Sequence, residues 1–339
     1  MAGHVKAIGL LSGGLDSVLA VALLKQQGIE VTGLLVRTGF TDHKESSPDG
    51  SRTVSDVANA LGIPLRIEDI SREYWTTLFY PKHGYGKNMN PCLDCHLHMV
   101  RVAARIMREE GADFVFTGEV MGQRPKSQMA HQLKTVLEES GISGSLLRPL
   151  SALRLAPTIP ELEGKVDRSR LKGFFGRQRG PQLALARELG VEHLAVAAGG
   201  NCFLTNKEFS DRFKDHLAQF GKEHFPKEDV PLLRIGRHFR LSPSAKVIIS
   251  RNEEEYELLQ PYKNGKYVFE LLDVTGASAL GTGTFSEEDL ILASQLTGRY
   301  SKAVKRETLR VRVTRDDWER IIETTPLDKD DPRIEALRI

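Results

Sequence analysis

Six residues near the amino terminus, Ser12-Gly13-Gly14-Leu15-Asp16-Ser17, have the types and spacing of an anion-binding turn. They close an apolar run from Val5 to Leu11 and open another from Val18 to Leu24. A buried strand feeding a glycine-rich turn and then a helix aims backbone N–H groups, and the positive end of the helix, at one point. Phosphate suits such a point. Gly13 and Gly14 let the main chain approach an anion closely, while Ser12 and Ser17 add hydroxyl donors. Asp16 is repulsive beside phosphates unless a cation such as Mg²⁺ lies between them. The turn is not a Walker A loop, because it lacks Gly-Lys-Ser/Thr at the required spacing.

Three cysteines form a second reactive group. Cys92 and Cys95 make a CxxC turn in Asn90-Pro91-Cys92-Leu93-Asp94-Cys95, and Cys202 follows the glycine-rich Gly199-Gly200-Asn201. In a cytoplasmic chain such spacing reads as a metal or redox site before a structural disulfide, and an odd count leaves one thiol over. Three arrangements fit the residues. A structural zinc would need a fourth ligand, for which His96 and His98 are candidates. A [4Fe–4S] cluster on three thiols would leave one iron open to an exogenous ligand such as sulfide. Plain buried thiols are the third arrangement.

The elements that must position these groups alternate between strand and helix. Glu30 to Val36 reads as a second strand, Gly50 to Leu61 as a helix, and Leu65 to Ile70 as a third strand. Met99 to Glu110 has helical periodicity ended by Gly111, and Phe114 to Thr117 is the next strand. This order predicts an α/β fold with a doubly wound, mostly parallel sheet, whose ligands gather at the carboxyl ends of the strands. Gly13, Arg37 and Gly118 fall at such ends. Beyond about residue 222 the pattern shifts to short β-branched or aromatic runs, at Ala245 to Ile249, Tyr267 to Leu272 and Leu309 to Val313. Residues 223–339 are therefore expected to form a smaller α+β domain after a first domain of residues 1–222.

Composition bounds the functional class. The chain has 339 residues, 40% hydrophobic and 27% charged, with a net charge of +2, which describes a globular protein. No apolar window approaches the ~20 residues of a membrane span and no signal pattern opens the chain, so it is expected in the cytoplasm. The small net charge leaves its distribution to indicate a partner. Lys165 to Pro181 carries Lys165, Arg168, Arg170, Lys172, Arg177 and Arg179, interleaved with Phe174, Phe175 and glycines. Aromatic and guanidinium planes of this kind stack on unpaired bases. Arg299 to Arg312 is the second basic stretch.

The hexapeptide resembles the SGGxDS signature of the PP-loop ATP pyrophosphatases. Phe116-Thr117-Gly118-Glu119-Val120-Met121-Gly122-Gln123 with Ser127-Gln128 is similar to a segment of the 4-thiouridine synthases. The two cysteine segments and Leu147-Arg148-Pro149-Leu150 are similar to the tRNA 2-thiouridylases. Residues 5 to 215 thus resemble tRNA sulfurtransferases of this superfamily, which implies an adenine nucleotide alpha hydrolase-like fold, ATP, Mg²⁺ and tRNA. The resemblance implies that Ser12, Gly13, Gly14, Leu15 and Ser17 hold phosphate and Asp16 orients Mg²⁺. It further implies that the backbone at Leu35, Val36 and Arg37 reads adenine, Gly118 borders the nucleotide, and Gln123, Lys126 and Gln128 contact ATP or RNA.

Many 2-thiouridylases have Asp at the position of Cys92 and use the other two cysteines as a persulfide pair. Having Cys92 moves this chain toward members with an iron–sulfur cluster on Cys92, Cys95 and Cys202. The sulfur donor would be sulfide or a product of a cysteine desulfurase. The amino-terminal RNA-binding region of full-length 4-thiouridine synthases is not expected here, nor a rhodanese-like module. Residues 230 to 312 instead resemble the RNA-binding module of the NFACT family through Leu233-Arg234-Ile235-Gly236-Arg237-His238-Phe239 and Ser250-Arg251-Asn252. Two competing classes share the hexapeptide or its fold: ligases that adenylate a carboxylate to form amides or nitriles, and non-catalytic RNA-binding proteins. Oligomeric state is not legible in the sequence.

Overall fold

A computed structural model describes residues 4–41, 52–195, 202–274, 277–302 and 307–339. The chain forms two compact units, residues 1–205 and 206–339. The first contains, in chain order, β1 (Lys6–Leu10), α1 (Leu15–Lys25), β2 (Glu30–Arg37), α2 (Val54–Ala60), β3 (Leu65–Asp69) and α3 (Tyr74–Phe79). It continues with α4 (Cys92–Glu110), β4 (Phe114–Phe116), α5 (Ala130–Glu139), β5 (Leu146–Leu147), α6 (Ile159–Leu162) and α7 (Gly180–Glu188). Its sheet runs β3-β2-β1-β4-β5 with every neighbouring pair parallel. The order reverses between β1 and β4, and their carboxyl ends flank the crevice that this topology opens for ligands.

Burial explains why these segments hold. Every residue of α1 from Ser17 to Leu24 is buried, and Val18, Leu19 and Leu24 are wholly enclosed in the core with Phe114 and Phe116 of β4. Each such aliphatic side chain contributes about 1.5–3 kcal/mol on leaving water. α4 buries a helical stripe through Leu97, Val100, Ala103, Ala104 and Ile106, and ends at Gly111 in the left-handed region (φ 64°).

The second unit contains α8 (Lys207–Phe220), β6 (Arg237–Arg240), β7 (Ala245–Ile249), α9 (Glu253–Leu259) and β8 (Tyr267–Leu271). β9 (Ala279–Gly283), α10 (Glu287–Arg299), β10 (Leu309–Arg315), β11 (Trp318–Thr324) and α11 (Pro332–Leu337) complete it. Its antiparallel sheet runs β11-β10-β8-β9-β7-β6. Leu290, Ala293 and Leu296 of α10 share one core with Phe239, Val247, Phe269 and Val311 of the strands. The α/β sheet followed by a separate α+β unit is the fold class expected.

Two boundaries differ from the expectation. The units divide after Thr205, before residue 222. Asn206 caps α8 by accepting from the Phe209 N–H, and Phe213 and His216 of that helix pack on Phe225, so α8 belongs to the second unit. α4 begins at Cys92, where Met99 was expected, so the CxxC is the first turn of a helix. Its polar early residues, Asp94, His96 and His98, conceal the helical period. Gly50 and Ser51, at the start of the helix expected over Gly50 to Leu61, lie outside the described residues.

Candidate active site

β1 delivers the hexapeptide to the crevice. Gly13 is left-handed (φ 77°), and Gly14 caps α1 in extended conformation. The Ser17 hydroxyl donates to the Gly14 carbonyl at 2.8 Å and lies 3.4 Å from the Ser12 hydroxyl. Leu15 is buried and anchors the turn. Asp16 occupies the first turn of the helix, where one carboxylate oxygen accepts from Gln123 Nε2 at 3.0 Å and lies 3.8 Å from Arg179. Its other oxygen is buried with no hydrogen-bond partner, an orphaned acceptor that suits a hard cation.

Gly118 follows β4 and lies against the start of α1. A Cβ there would stand 2.6 Å from the Asp16 carbonyl carbon and from the Ser17 nitrogen, so only glycine fits this approach. The next residue, Glu119, is buried and accepts from Thr117 Oγ1 and Arg148 Nε, both at 2.9 Å. His96 Nδ1 stands 3.2 Å from its second oxygen. Despite the cost of burial, Arg148 and His96 hold the Glu119 carboxyl far below the usual carboxylate range. This network fastens the thiol-bearing helix to the nucleotide end of β4.

The three thiols converge in this unit. Main-chain bonds from Phe203 N–H to the Phe40 carbonyl, and from Met89 N–H to the Leu204 carbonyl, tie the Cys202 segment to the loops after β2 and before α4. All three cysteines are free and half-buried. They lie within electrostatic reach of one another and of Tyr74, which is hydrogen-bonded to Cys95. Burial pushes the Cys95 thiol up to about 12 and the Cys202 thiol to about 11, and raises Cys92 more weakly. Arg124 and Lys126 act on Cys92 in the opposite direction. A Cβ on Gly86 would lie 3.4 Å from Lys126 Cβ and 3.6 Å from Cys92 Sγ. The segment 118–126 therefore touches Asp16 through Gln123 and approaches the thiols through Lys126.

Among the described residues, no three His, Cys, Asp or Glu side chains are grouped to hold a single metal ion. His96 is turned to Glu119, and His98 lies 2.8 Å from Thr77 Oγ1 and 3.6 Å from Glu73. Gln128 is buried; its main-chain carbonyl accepts from Gly122 at 2.7 Å, and its side-chain oxygen has no hydrogen-bond partner.

At the strand end expected to read adenine, Leu35, Val36 and Arg37 pair with β3, whereas the pairing of β2 with β1 stops at Leu34. Leu11 N–H donates to the Leu34 carbonyl, and Arg37 turns the other way to accept from Ile70 N–H. Alternation then points the main-chain groups of Val36 to the β1 side, past the end of that strand. Of the three expected positions, Val36 alone offers its backbone to the crevice.

Part of each basic stretch is engaged within the protein. Lys165 pairs with Asp113 and Glu163, Arg168 with Glu161, and Arg170 donates to the Gln26 carbonyl. Arg310 and Arg312 pair with Asp273 and Glu270 across β10. Lys305 and Arg306 lie outside the described residues. Arg177 is exposed, Arg179 reaches Asp16, and Phe175, 57% exposed, runs beside Met121 and Gly122. The sequence motifs missed Tyr74 and the placement of Arg179, since neither belongs to a local pattern. The contact between Glu119 and His96 also joins residues from separate motifs.

Residues 5–141 match the tRNA methyl transferase HUP domain, and residues 236–334 match the NFACT protein RNA binding domain. The chain is 28% identical over 246 residues to the tRNA-specific 2-thiouridylase MnmA of Marinobacter nauticus, covering 69% of this chain and 59% of that one. It is 26% identical to the MnmA of Francisella tularensis, over 69% of this chain and 63% of the relative. The chain thus spans about three-fifths of these relatives. A solved 4-thiouridine synthetase–RNA complex with bound ATP aligns with a TM-score of 0.40 and 20% identity, over 67% of this chain and 52% of that one. The two family matches and the MnmA relatives bear out the resemblance to PP-loop tRNA sulfurtransferases with a carboxyl-terminal RNA-binding domain. No helix among the described residues is long and apolar enough to cross a membrane.

Proposed function

We propose that the protein is an ATP-dependent tRNA sulfurtransferase that converts a uridine carbonyl to a thiocarbonyl. The observation that carries this reading is the 118–126 segment, in which Gln123 bonds Asp16 of the hexapeptide and Lys126 lies within electrostatic reach of Cys92. A uridine oxygen attacks the α-phosphate of ATP and pyrophosphate leaves; sulfur then adds to the activated carbon and AMP departs with the oxygen. The backbone of the hexapeptide, with Ser12 and Ser17, holds phosphate, and the Val36 main chain reads the adenine edge. Mg²⁺ at the orphaned Asp16 oxygen would offset charge on the departing pyrophosphate.

Cys92, Cys95 and Cys202 are three donors of one kind with no fourth, a set suited to a [4Fe–4S] cluster that keeps one iron without a protein ligand. Such a cluster would supply a seat for sulfide, and Tyr74 and Lys126 would line its surroundings. A second reading is a persulfide on the Cys95 and Cys202 pair, two thiols within electrostatic reach of each other.

Anaerobic incubation with ATP, Mg²⁺, unmodified tRNA and, in parallel, sulfide or a cysteine desulfurase with cysteine tests the proposal, with pyrophosphate release and thionucleoside content as readouts. The expected result is one pyrophosphate per thiouridine formed. Pyrophosphate without thionucleoside would turn the reading toward carboxylate-activating ligases, and no nucleotide cleavage at all would turn it toward a binding protein. Formation of ADP and phosphate would discard adenylation.

A further inference from the structure

Arginines gather at one corner of the second unit with too few carboxylates to balance them. Arg237 opens β6 and stands in register with Ile249 at the end of β7, so Arg251 leaves β7 at the same corner. Arg338 bridges Phe239 of β6, and the next N–H, of Ile339, donates to the His238 carbonyl at 3.0 Å. Arg212 of α8 donates to the Leu233 carbonyl at 3.1 Å, close before β6 in the chain. Arg299, at the end of α10, lies with Arg237 around the Tyr300 ring, their guanidinium carbons 5.6 and 4.6 Å from its centroid. Arg212 and Arg237 each feel Arg251 and Arg338 as repelling neighbours.

Among the described residues, three carboxylates lie within ion-pair distance of these five cations. Glu255 lies 3.0 Å from Arg251, while Glu208 and Glu335 are exposed and 3.5 and 3.4 Å from Arg212 and Arg338. Arg237 has no carboxylate within ion-pair distance among the described residues, and Tyr300 fixes its plane by cation–π contact. Arg212 is only 6% exposed, yet its Nε has no hydrogen-bond partner. A buried donor without an acceptor, inside a group of like charges, marks the place of an anion that supplies both acceptor and countercharge.

We infer that this corner binds consecutive phosphates of an RNA backbone, with Arg237 and Arg251 as the accessible forks and Arg212 completing the floor. Guanidinium forks match phosphate oxygens two at a time, and phosphate contacts fix register without reading sequence. The inference rests on the tRNA reading proposed above and assigns a surface for it.

Binding of an unmodified tRNA transcript to the full chain, measured by fluorescence anisotropy across a KCl series, tests the assignment. Arg237→Gln and Arg251→Gln should each weaken binding on the order of 3- to 10-fold and reduce the slope of log K against log salt by about 0.7–0.9. Arg237→Lys should keep the slope while losing affinity, since it retains charge and loses the fork. Arg320→Gln, on the edge strand β11 at the far side of the sheet, should change neither. Unchanged slope and affinity in the Arg237→Gln/Arg251→Gln double variant, with circular dichroism intact, would overturn the surface while leaving the tRNA reading standing. Failure of the parent protein to bind tRNA would overturn both. Equal displacement of tRNA by polyglutamate would reassign the corner to an acidic polypeptide.

Discussion

Asp16 concentrates the chemistry of the nucleotide turn in one carboxylate: one oxygen is engaged by Gln123 and approached by Arg179, and the other is buried and unengaged. Asp16→Ala should lower the release of pyrophosphate by at least ~10²-fold, the scale of losing a principal electrostatic contributor. A quantitative pyrophosphate assay at saturating ATP checks this. The thiols separate the two sulfur readings. With a cluster, Cys92→Ala, Cys95→Ala and Cys202→Ala should all lose iron and thiolation together, with ATP binding retained. With a persulfide pair, Cys92→Ala should stay active without iron. Iron and acid-labile sulfide analysis beside thionucleoside formation decides between them. Glu119 is the counterion of a 4% exposed arginine, so Glu119→Ala should destabilise the first unit by roughly 3–5 kcal/mol. Arg148→Met in the same chain should recover part of that loss, as read by denaturant midpoints.

Gly118 carries the corresponding prediction at the scale of elements. It sits where the end of β4 meets the first turn of α1, and a methyl group there overlaps main chain that cannot swing aside. Gly118→Ala should push the two elements apart, costing about 1–3 kcal/mol and weakening ATP binding measured by calorimetry. The sequence made much of this site legible because its motifs sit on period-2 and period-3.6 patterns that announce their own elements: β1, β2, β3 and β4 lie within a residue or two of the expected runs. What stayed hidden is non-local. α4 begins seven residues before its apolar period becomes visible, because Asp94 and His96 spend their polarity inward, on the Lys82 and His83 N–H groups and on Glu119. In the second unit, β6 reads Arg-His-Phe-Arg, β9 holds two glycines in five residues and β11 reads Trp-Glu-Arg-Ile-Ile-Glu-Thr and is mostly exposed, so none has the apolar signature of the other strands. Nor does charge in a sequence say which cations are already paired, as Lys165, Arg168, Arg310 and Arg312 are.

At the scale of the whole molecule, each unit carries one of the two tryptophans, Trp75 in the first and Trp318 in the second, so unfolding of each can be followed through a Trp→Phe variant of the other. The second unit should be acid-sensitive. His216 is buried among Phe220 and Phe225 and faces Lys246 and Arg240 from the strands beside Asp215 on its own helix. Burial lowers it from 6.5 to about 4, and His238 is lowered as well. Because the unfolded chain takes up the proton first, the stability from His216 is complete above pH 6.5 and is lost as pH falls toward 4. The loss should amount to roughly 2–3 kcal/mol. Denaturant titrations at pH 7 and pH 4.5, read at Trp318, should show this fall, and His216→Phe should flatten it.

The overhang of β2 past β1 has an evolutionary consequence. A base edge read by the Val36 N–H and carbonyl is read by atoms that every residue except proline possesses. Drift at position 36 can change the shape of the crevice wall but cannot delete the contact. On the proposed reading, choice of nucleobase would be insulated from mutations that retune the thiols or the proposed RNA surface, and such a scaffold could exchange its acceptor substrate while keeping its nucleotide.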